Sequence, residues 1–222
     1  MTSTTADAAA SDAAPEPDFD ASISFLQMVH PEGLWVLVAI WYPPELDGKS
    51  KIETRTFGPD KIGACKYWLK EHHKLKHELY WTVNRIAKEV RKKPDREEFV
   101  SIPYLHLDLD PDEAEELKEG GFERERARLK ALIDTMEPKP SFRIDSGGGY
   151  GVYWALETPI SLDGSEEQYE DAKLYNLALE LKYGGDNCHN IDRIMRLPGT
   201  INWGLKPTKV KKGRKPRLAV LL

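Results

Sequence analysis

Residues 104–110, YLHLDLD, admit one regular conformation. Leucines alternating with polar residues repeat with the period of a β-strand, whose successive side chains point to opposite faces. Leu105, Leu107 and Leu109 then form the buried face, and His106, Asp108 and Asp110 share the other. Pro111 ends the strand and Asp112 opens a helix-favouring run. Two carboxylates at i and i+2 on a rigid strand present hard oxygen ligands at a fixed spacing, which suits Mg²⁺ or Mn²⁺. Such a pair also occurs at ordinary strand ends, so its meaning depends on what surrounds it.

Around this strand the pattern alternates between helix and strand. Residues 21–29 read as a short helix, and 34–42 (LWVLVAIWY) as a near-continuous apolar strand that ends at Pro43-Pro44. A strand at 52–57, a helix at 59–74 and a strand at 78–83 follow, then a basic helix or turn at 84–92. Beyond the 104–110 strand comes a helical stretch, 112–136, interrupted by Gly120-Gly121. Strands at 141–145 and 151–156 flank a glycine turn, 165–182 is an amphipathic helix, and 191–195 and 217–222 are short strands. This order predicts an α/β (α+β) domain with a mixed or antiparallel central sheet, not a strict βαβ array.

With 40% hydrophobic residues, six Trp and nine Tyr in 222 positions, the chain can bury the core of one sizeable domain or two small ones. No apolar run approaches the roughly 20 residues needed to span a bilayer, and the start lacks a signal-peptide pattern. The expectation is a cytoplasmic protein with no membrane partner. Cys65 and Cys188 are far apart and form no CxxC pair, which excludes a Cys-rich zinc knuckle. Residues 1–20, rich in Ala, Ser, Thr, Asp and Pro, read as a disordered tail. The main domain is then 21–206, and 207–222 form a basic segment and a terminal strand.

The formal net charge is −5, yet Lys206, Lys209, Lys211, Lys212, Arg214, Lys215 and Arg217 follow one another with no acid among them. Such a run is either a solvated loop or a contact to a nucleic-acid backbone, where cations displace condensed counterions.

Two further clusters carry chemistry. In 142–154 (FRIDSGGGYGVYW), Gly147, Gly148 and Gly149 remove every Cβ at a turn. That serves either a tight hairpin or an anion-binding nest of backbone N–H groups. In 191–203 (IDRIMRLPGTINW), Asp192 falls in a short apolar strand, and Arg193 and Arg196 offer guanidinium forks for phosphate before the Pro198-Gly199 turn and Asn202.

The order DxD, Ser-Gly hairpin, then an acid followed by RLPGT-x-N resembles the catalytic core of the archaeo-eukaryotic primase superfamily. Within it, the likeness is to primase-polymerase domains of plasmid and phage replication proteins. It spans roughly residues 80–206. The resemblance implies an RRM-like sheet with flanking helices and a second small α/β unit. It implies that Asp108, Asp110 and Asp192 hold Mg²⁺ or Mn²⁺ for nucleotidyl transfer, and that Ser146 with Gly147, Gly148 and Gly149 faces the triphosphate. A histidine that normally follows the hairpin serine is missing, which leaves Arg143, Arg193 and Lys206, together with Arg196, to bind phosphate. Asn202, Lys209, Lys211, Lys212 and Arg214 are the candidate contacts to a single-stranded DNA template. The implied activity is a DNA primase/polymerase that makes or extends primers from NTP or dNTP in replication of a mobile element, with a replicative helicase, fused or separate, as partner. A non-catalytic DNA- or origin-binding module and a metal-dependent nuclease are the alternatives. The chain ends inside an apparent strand, RLAVLL, as a fragment of a longer replication protein would.

Overall fold

The computed structural model describes residues 15–222; the expected tail therefore lies largely outside the described residues. Helix α1 (Phe19–Val29) starts two positions earlier than the pattern suggests, because the Asp18 side chain caps it by accepting from Ala21 N at 2.9 Å. Strands β1 (Trp35–Trp41), β2 (Lys51–Phe57) and β3 (Glu78–Thr82), with α2 (Ile62–Lys74) between the last two, form the first half. Then come β4 (Arg85–Ile86), β5 (Phe99–Leu109), α3 (Glu113–Glu116), α4 (Gly121–Asp134), β6 (Phe142–Asp145), β7 (Tyr150–Ser161) and α5 (Glu166–Tyr183). The short elements β8 (Ile194–Arg196), β9 (Ile201–Asn202), α6 (Pro207–Lys211), β10 (Arg217–Leu218) and β11 (Val220–Leu221) end the chain.

All strand pairs are antiparallel. They build a four-stranded sheet ordered β2-β1-β3-β8, a five-stranded sheet ordered β11-β6-β7-β5-β4, and a β9-β10 ribbon. The expected α+β class with an antiparallel sheet is what the chain adopts. No helix among the described residues is long and apolar enough to cross a membrane.

Strand β1 is apolar throughout because both of its faces are covered. Trp35, Leu37 and Ala39 pack with α1, α2 and β3, while Val36 and Val38 meet Ile86, Val90 and Phe99 on the opposite side. Trp81 on β3 lies 5.8 Å, ring to ring, from Tyr153 on β7, so the main core joins the two sheets. Helix α4 lays Leu129 and Ile133 on Leu107, Leu109 and Val152.

The helical run after β5 breaks at glycine, as expected. Gly120 sits at φ +62, and a Cβ on Gly121 would meet the Glu115 carbonyl oxygen at 1.9 Å. Of the helix or turn expected at residues 84–92, the helix is not formed: the segment is an irregular loop carrying the short strand β4. Burial of Val90 in the apolar cluster fixes that loop, and a helix would turn this side chain away.

His30 is buried between Trp81 and Tyr104, and burial holds its imidazole down at about 4. Its free-chain pKa is near 6.5, so the unfolded state binds the extra proton first. The contribution is fully present above pH 6.5 and is lost as pH falls toward 4, amounting to about 3 kcal/mol. Urea unfolding at pH 7.5 and pH 5 is expected to show most of this loss, and His30→Phe is expected to remove the share that His30 contributes.

Candidate nucleotide site

A cavity of about 290 Å³ opens where the two sheets meet. The four-stranded sheet contributes Ile40, Glu78, Tyr80, Met195 and Arg196, and the five-stranded sheet contributes Asp108, Ile144, Gly151 and Tyr153. Asp110, Ser146, Arg193, Asn202, Lys206 and Lys209 line its mouth. Asp108 lies opposite Gly151 in the β5-β7 ladder, and the Tyr153 hydroxyl fills the space beside Gly151, 2.7 Å from where a Cβ would stand. Burial pushes the Asp108 carboxyl up to about 7, repulsion from Asp110 and Asp186 adds to it, and Arg193 opposes it. Arg193 Nη2 stands 3.6 Å from Asp108 Oδ2, and Lys209 Nζ stands 3.7 Å from Asp110 Oδ2.

His106 does not share this open face, contrary to the simple alternation. Its Nε2 lies 3.0 Å from the Cys188 carbonyl oxygen, its Nδ1 lies 3.3 Å from Asn176 Nδ2, and burial holds it down at about 4. Helix α5 covers that part of the strand, so His106 is a packing residue.

The glycine hairpin is closed on itself. Gly147 N donates to Asp145 Oδ1 at 2.8 Å, and Gly148 N and Gly149 N donate to Ser146 Oγ at 3.2 and 2.9 Å. The three amides that would form an anion nest are thus satisfied within the turn. Gly149 is required for another reason: a Cβ there would stand 2.0 Å from Leu109 O and 2.7 Å from Asp110 Oδ1. Gly149→Ala is expected to force the hairpin off the end of β5, costing about 1–3 kcal/mol; unfolding curves measure the loss.

Of the other residues expected to bind phosphate, Arg193 and Lys206 line the mouth. Arg196 is in the floor, its Nη1 2.7 Å from Glu78 Oε2 and its Nη2 donating to Tyr80 OH at 3.1 Å. Arg143 is outside the cavity, paired with Asp134 at 2.6 Å. Asn202 is buried and donates from Nδ2 to Ser146 O at 2.8 Å, tying the ribbon to the hairpin.

Asp192 is not in the short strand expected for it and does not line the cavity of Asp108 and Asp110. It sits in a turn before β8, closed by Arg193 N donating to Asn190 O at 3.2 Å, and accepts from Lys93 Nζ at 2.7 Å. It lines a separate cavity of about 460 Å³ with Asp95, Arg96, Tyr169 and Lys173. The turn sends the adjacent side chains of Asp192 and Arg193 into different cavities. Beside the Asp108/Asp110 pair stands Asp186, which sequence reasoning missed. Its N–H donates to Asp108 O at 2.9 Å, and its carboxyl is pushed up by burial and by Asp110. It lies in the irregular GGDNC loop, where no periodicity marks it.

The basic C-terminal segment lies over the cavity mouth as a strap with most of its charge matched. Lys209 faces Asp110, Lys212 pairs with Glu113 at 3.0 Å and Glu116 at 3.3 Å, Arg214 pairs with Glu116, and Arg217 with Glu123. Lys211 and Lys215 are exposed and make no ion pair among the described residues. A continuous backbone-tracking polycation is not what this segment presents.

Among the described residues no group of three or more His, Cys, Asp or Glu side chains is arranged to hold a metal ion. The donors present nevertheless suit Mg²⁺ or Mn²⁺, since such ions are commonly held by one or two carboxylates with substrate phosphates supplying the rest. Burial raises Asp108 and repulsion from Asp110 and Asp186 adds to it; that repulsion is what a divalent cation relieves.

No protein-family model matches the chain, and no curated protein matches it in sequence. Among solved structures, it is similar to the AEP domain of the cyanophage S-2L primase-polymerase, at 16% identity over 94% of this chain and 91% of that one, with a TM-score of 0.61. It is also similar to primase RepB′, at 12% identity over 91% of this chain and 55% of that one, TM-score 0.50. A third likeness is to the RepB′ catalytic domain in complex with initiator DNA, at 11% identity over 90% and 81%, TM-score 0.50. At these identities the shared property is the fold.

Proposed function

We propose that this chain, on its archaeo-eukaryotic primase-type fold, is a template-dependent nucleotidyltransferase that makes or extends primers in replication of a mobile element. The observation that carries the reading is the Asp108/Asp110 pair in a cavity between the sheets, with Arg193, Lys206 and Lys209 at its mouth. Asp108 and Asp110 would hold Mg²⁺ or Mn²⁺, which lowers the pKa of an attacking 3′-hydroxyl and neutralises charge on pyrophosphate.

The chain's own residues do the positioning. With the hairpin amides used internally, Arg193, Lys206 and Lys209 are the cations available to orient the triphosphate, taking the place of the missing histidine. Gly151 leaves room for the Tyr153 hydroxyl, and Tyr80, held by Arg196, forms the floor with Ile40 and Tyr153. For the third acid, the resemblance points to Asp192 and the geometry favours Asp186.

Incubation with labelled nucleotide, Mn²⁺ and a single-stranded template tests the assignment. New strands are the expected product. Strand binding alone would support a DNA-binding module, and a degraded template would support a nuclease.

A further inference from the structure

We propose that the loop at residues 88–93 is the docking surface for the phosphate backbone of the single strand on which the chain works. The inference rests on the polymerase reading and names a surface that reading leaves open. The loop's geometry is fixed by its own packing. Val90 is buried against Val36, Val38, Ile86 and Phe99. Its N–H donates to Thr56 Oγ1 at 2.9 Å, and the same hydroxyl donates back to Val90 O at 3.0 Å. One buried residue with both backbone groups satisfied holds its charged neighbours outward, so little ordering entropy is lost when a ligand docks.

Part of the charge of this loop is available. Lys88 and Arg91 are exposed and make no ion pair among the described residues. Glu89, the one acid in the loop, is taken by Lys61 at 2.7 Å. Lys92 is exposed and shares Asp95 at 2.7 Å, a surface pair that contributes little and exchanges readily. The loop exposes no large apolar side chain, so it lacks what a bilayer surface would require.

Position connects it to the chemistry. Lys93 Nζ meets Asp192 at 2.7 Å, and the next residue, Arg193, meets Asp108 at 3.6 Å. A loop joined by one ion pair to the residue before Arg193 is placed to meet a strand beside the reacting nucleotide. Polyanion binding by such a row of cations acts mainly through counterion release, and its measure is salt dependence.

The test is fluorescence anisotropy of a labelled oligothymidylate across a sodium chloride series. The parent chain is compared with a Lys88→Ala, Arg91→Ala, Lys92→Ala triple variant and with Lys211→Ala, Lys215→Ala on the strap. Because the loop side chains are exposed, matching melting curves are expected. The triple variant is expected to bind about tenfold more weakly at low salt, with a logarithmic salt slope shallower by about 2, from three contacts at roughly 0.7 each. Binding of a fluorescent nucleoside triphosphate without DNA is expected to be unchanged. A triple variant with the parent's slope overturns the loop assignment, as does an equal loss of slope in the strap variant. A parent that binds no strand at any salt overturns the polymerase reading as well, which separates the two failures.

Discussion

Replacing Asp108 and Asp110 together with Ala is expected to abolish primer synthesis while leaving the fold intact. The expected loss is on the order of a thousandfold or more, because both hard ligands for the cation go at once. Stability should hold or rise. Asp108 is kept above its ordinary carboxylate range by burial and by repulsion from Asp110, so the native state gains nothing from that charge. Nucleotide incorporation and thermal denaturation measured on one preparation decide the matter. Synthesis retained by the double variant would refute the mechanism. If the Ala variant melts earlier, the isosteric Asp108→Asn, Asp110→Asn pair separates lost chemistry from lost fold. In the same assay Asp186→Asn is expected to reduce incorporation more than Asp192→Asn, which ranks the two candidate third acids.

Glu78→Ala is expected to cost about 3–5 kcal/mol, the range for breaking a buried pair and leaving one charge uncompensated. Glu78 and Arg196 have side chains only 4% and 8% exposed, with Nη1 and Oε2 2.7 Å apart. The same carboxylate accepts from Trp203 N and Leu205 N, at 3.3 and 3.2 Å, so it also anchors the start of the strap. Removing it strands the Arg196 guanidinium and two backbone donors together. Urea denaturation at pH 7.5 should show the loss, and Glu78→Gln should recover part of it by keeping the acceptor oxygen. A change below about 1 kcal/mol, the scale of exposed pairs, would mean that water reaches the pair.

The architecture was legible where period and punctuation agreed. The leucine alternation gave β5, the glycine pair broke α3 from α4, and the apolar run at β1 announced a strand. The Asp108/Asp110 pair was legible in part for the same reason, since β5 carries Asp108 and ends at Leu109, with Asp110 the next residue. What failed were inferences that needed a partner from elsewhere in the chain. His106 alternates with the leucines correctly but meets α5, whose position no local pattern encodes. Asp192 and Arg193 are neighbours in sequence, and a turn sends them to different cavities. The hairpin glycines looked like a nest because their spacing says nothing of Ser146 Oγ accepting two of the amides. The basic segment looked uncommitted because Glu113, Glu116 and Glu123, which pair with it, lie roughly a hundred positions earlier. In the ELYWT strand one signal was present and unread: Glu78, an acid at the head of an apolar strand, had to be paired or functional.

The cavity's two walls belong to different sheets, and this makes the site a measuring gap. Asp108 is fixed to one sheet, while Arg193 enters β8 on the other. The distance between the residue that would hold the cation and one that would hold the phosphates is set by how the sheets tilt on each other. Trp81 and Tyr153, packed across that seam, act as the spacer. A displacement of about 1 Å at a reacting centre can cost a hundredfold in rate. Under the proposed reading, the packing of this ring pair therefore bears on the rate, and Trp81 acts on it from outside the cavity lining.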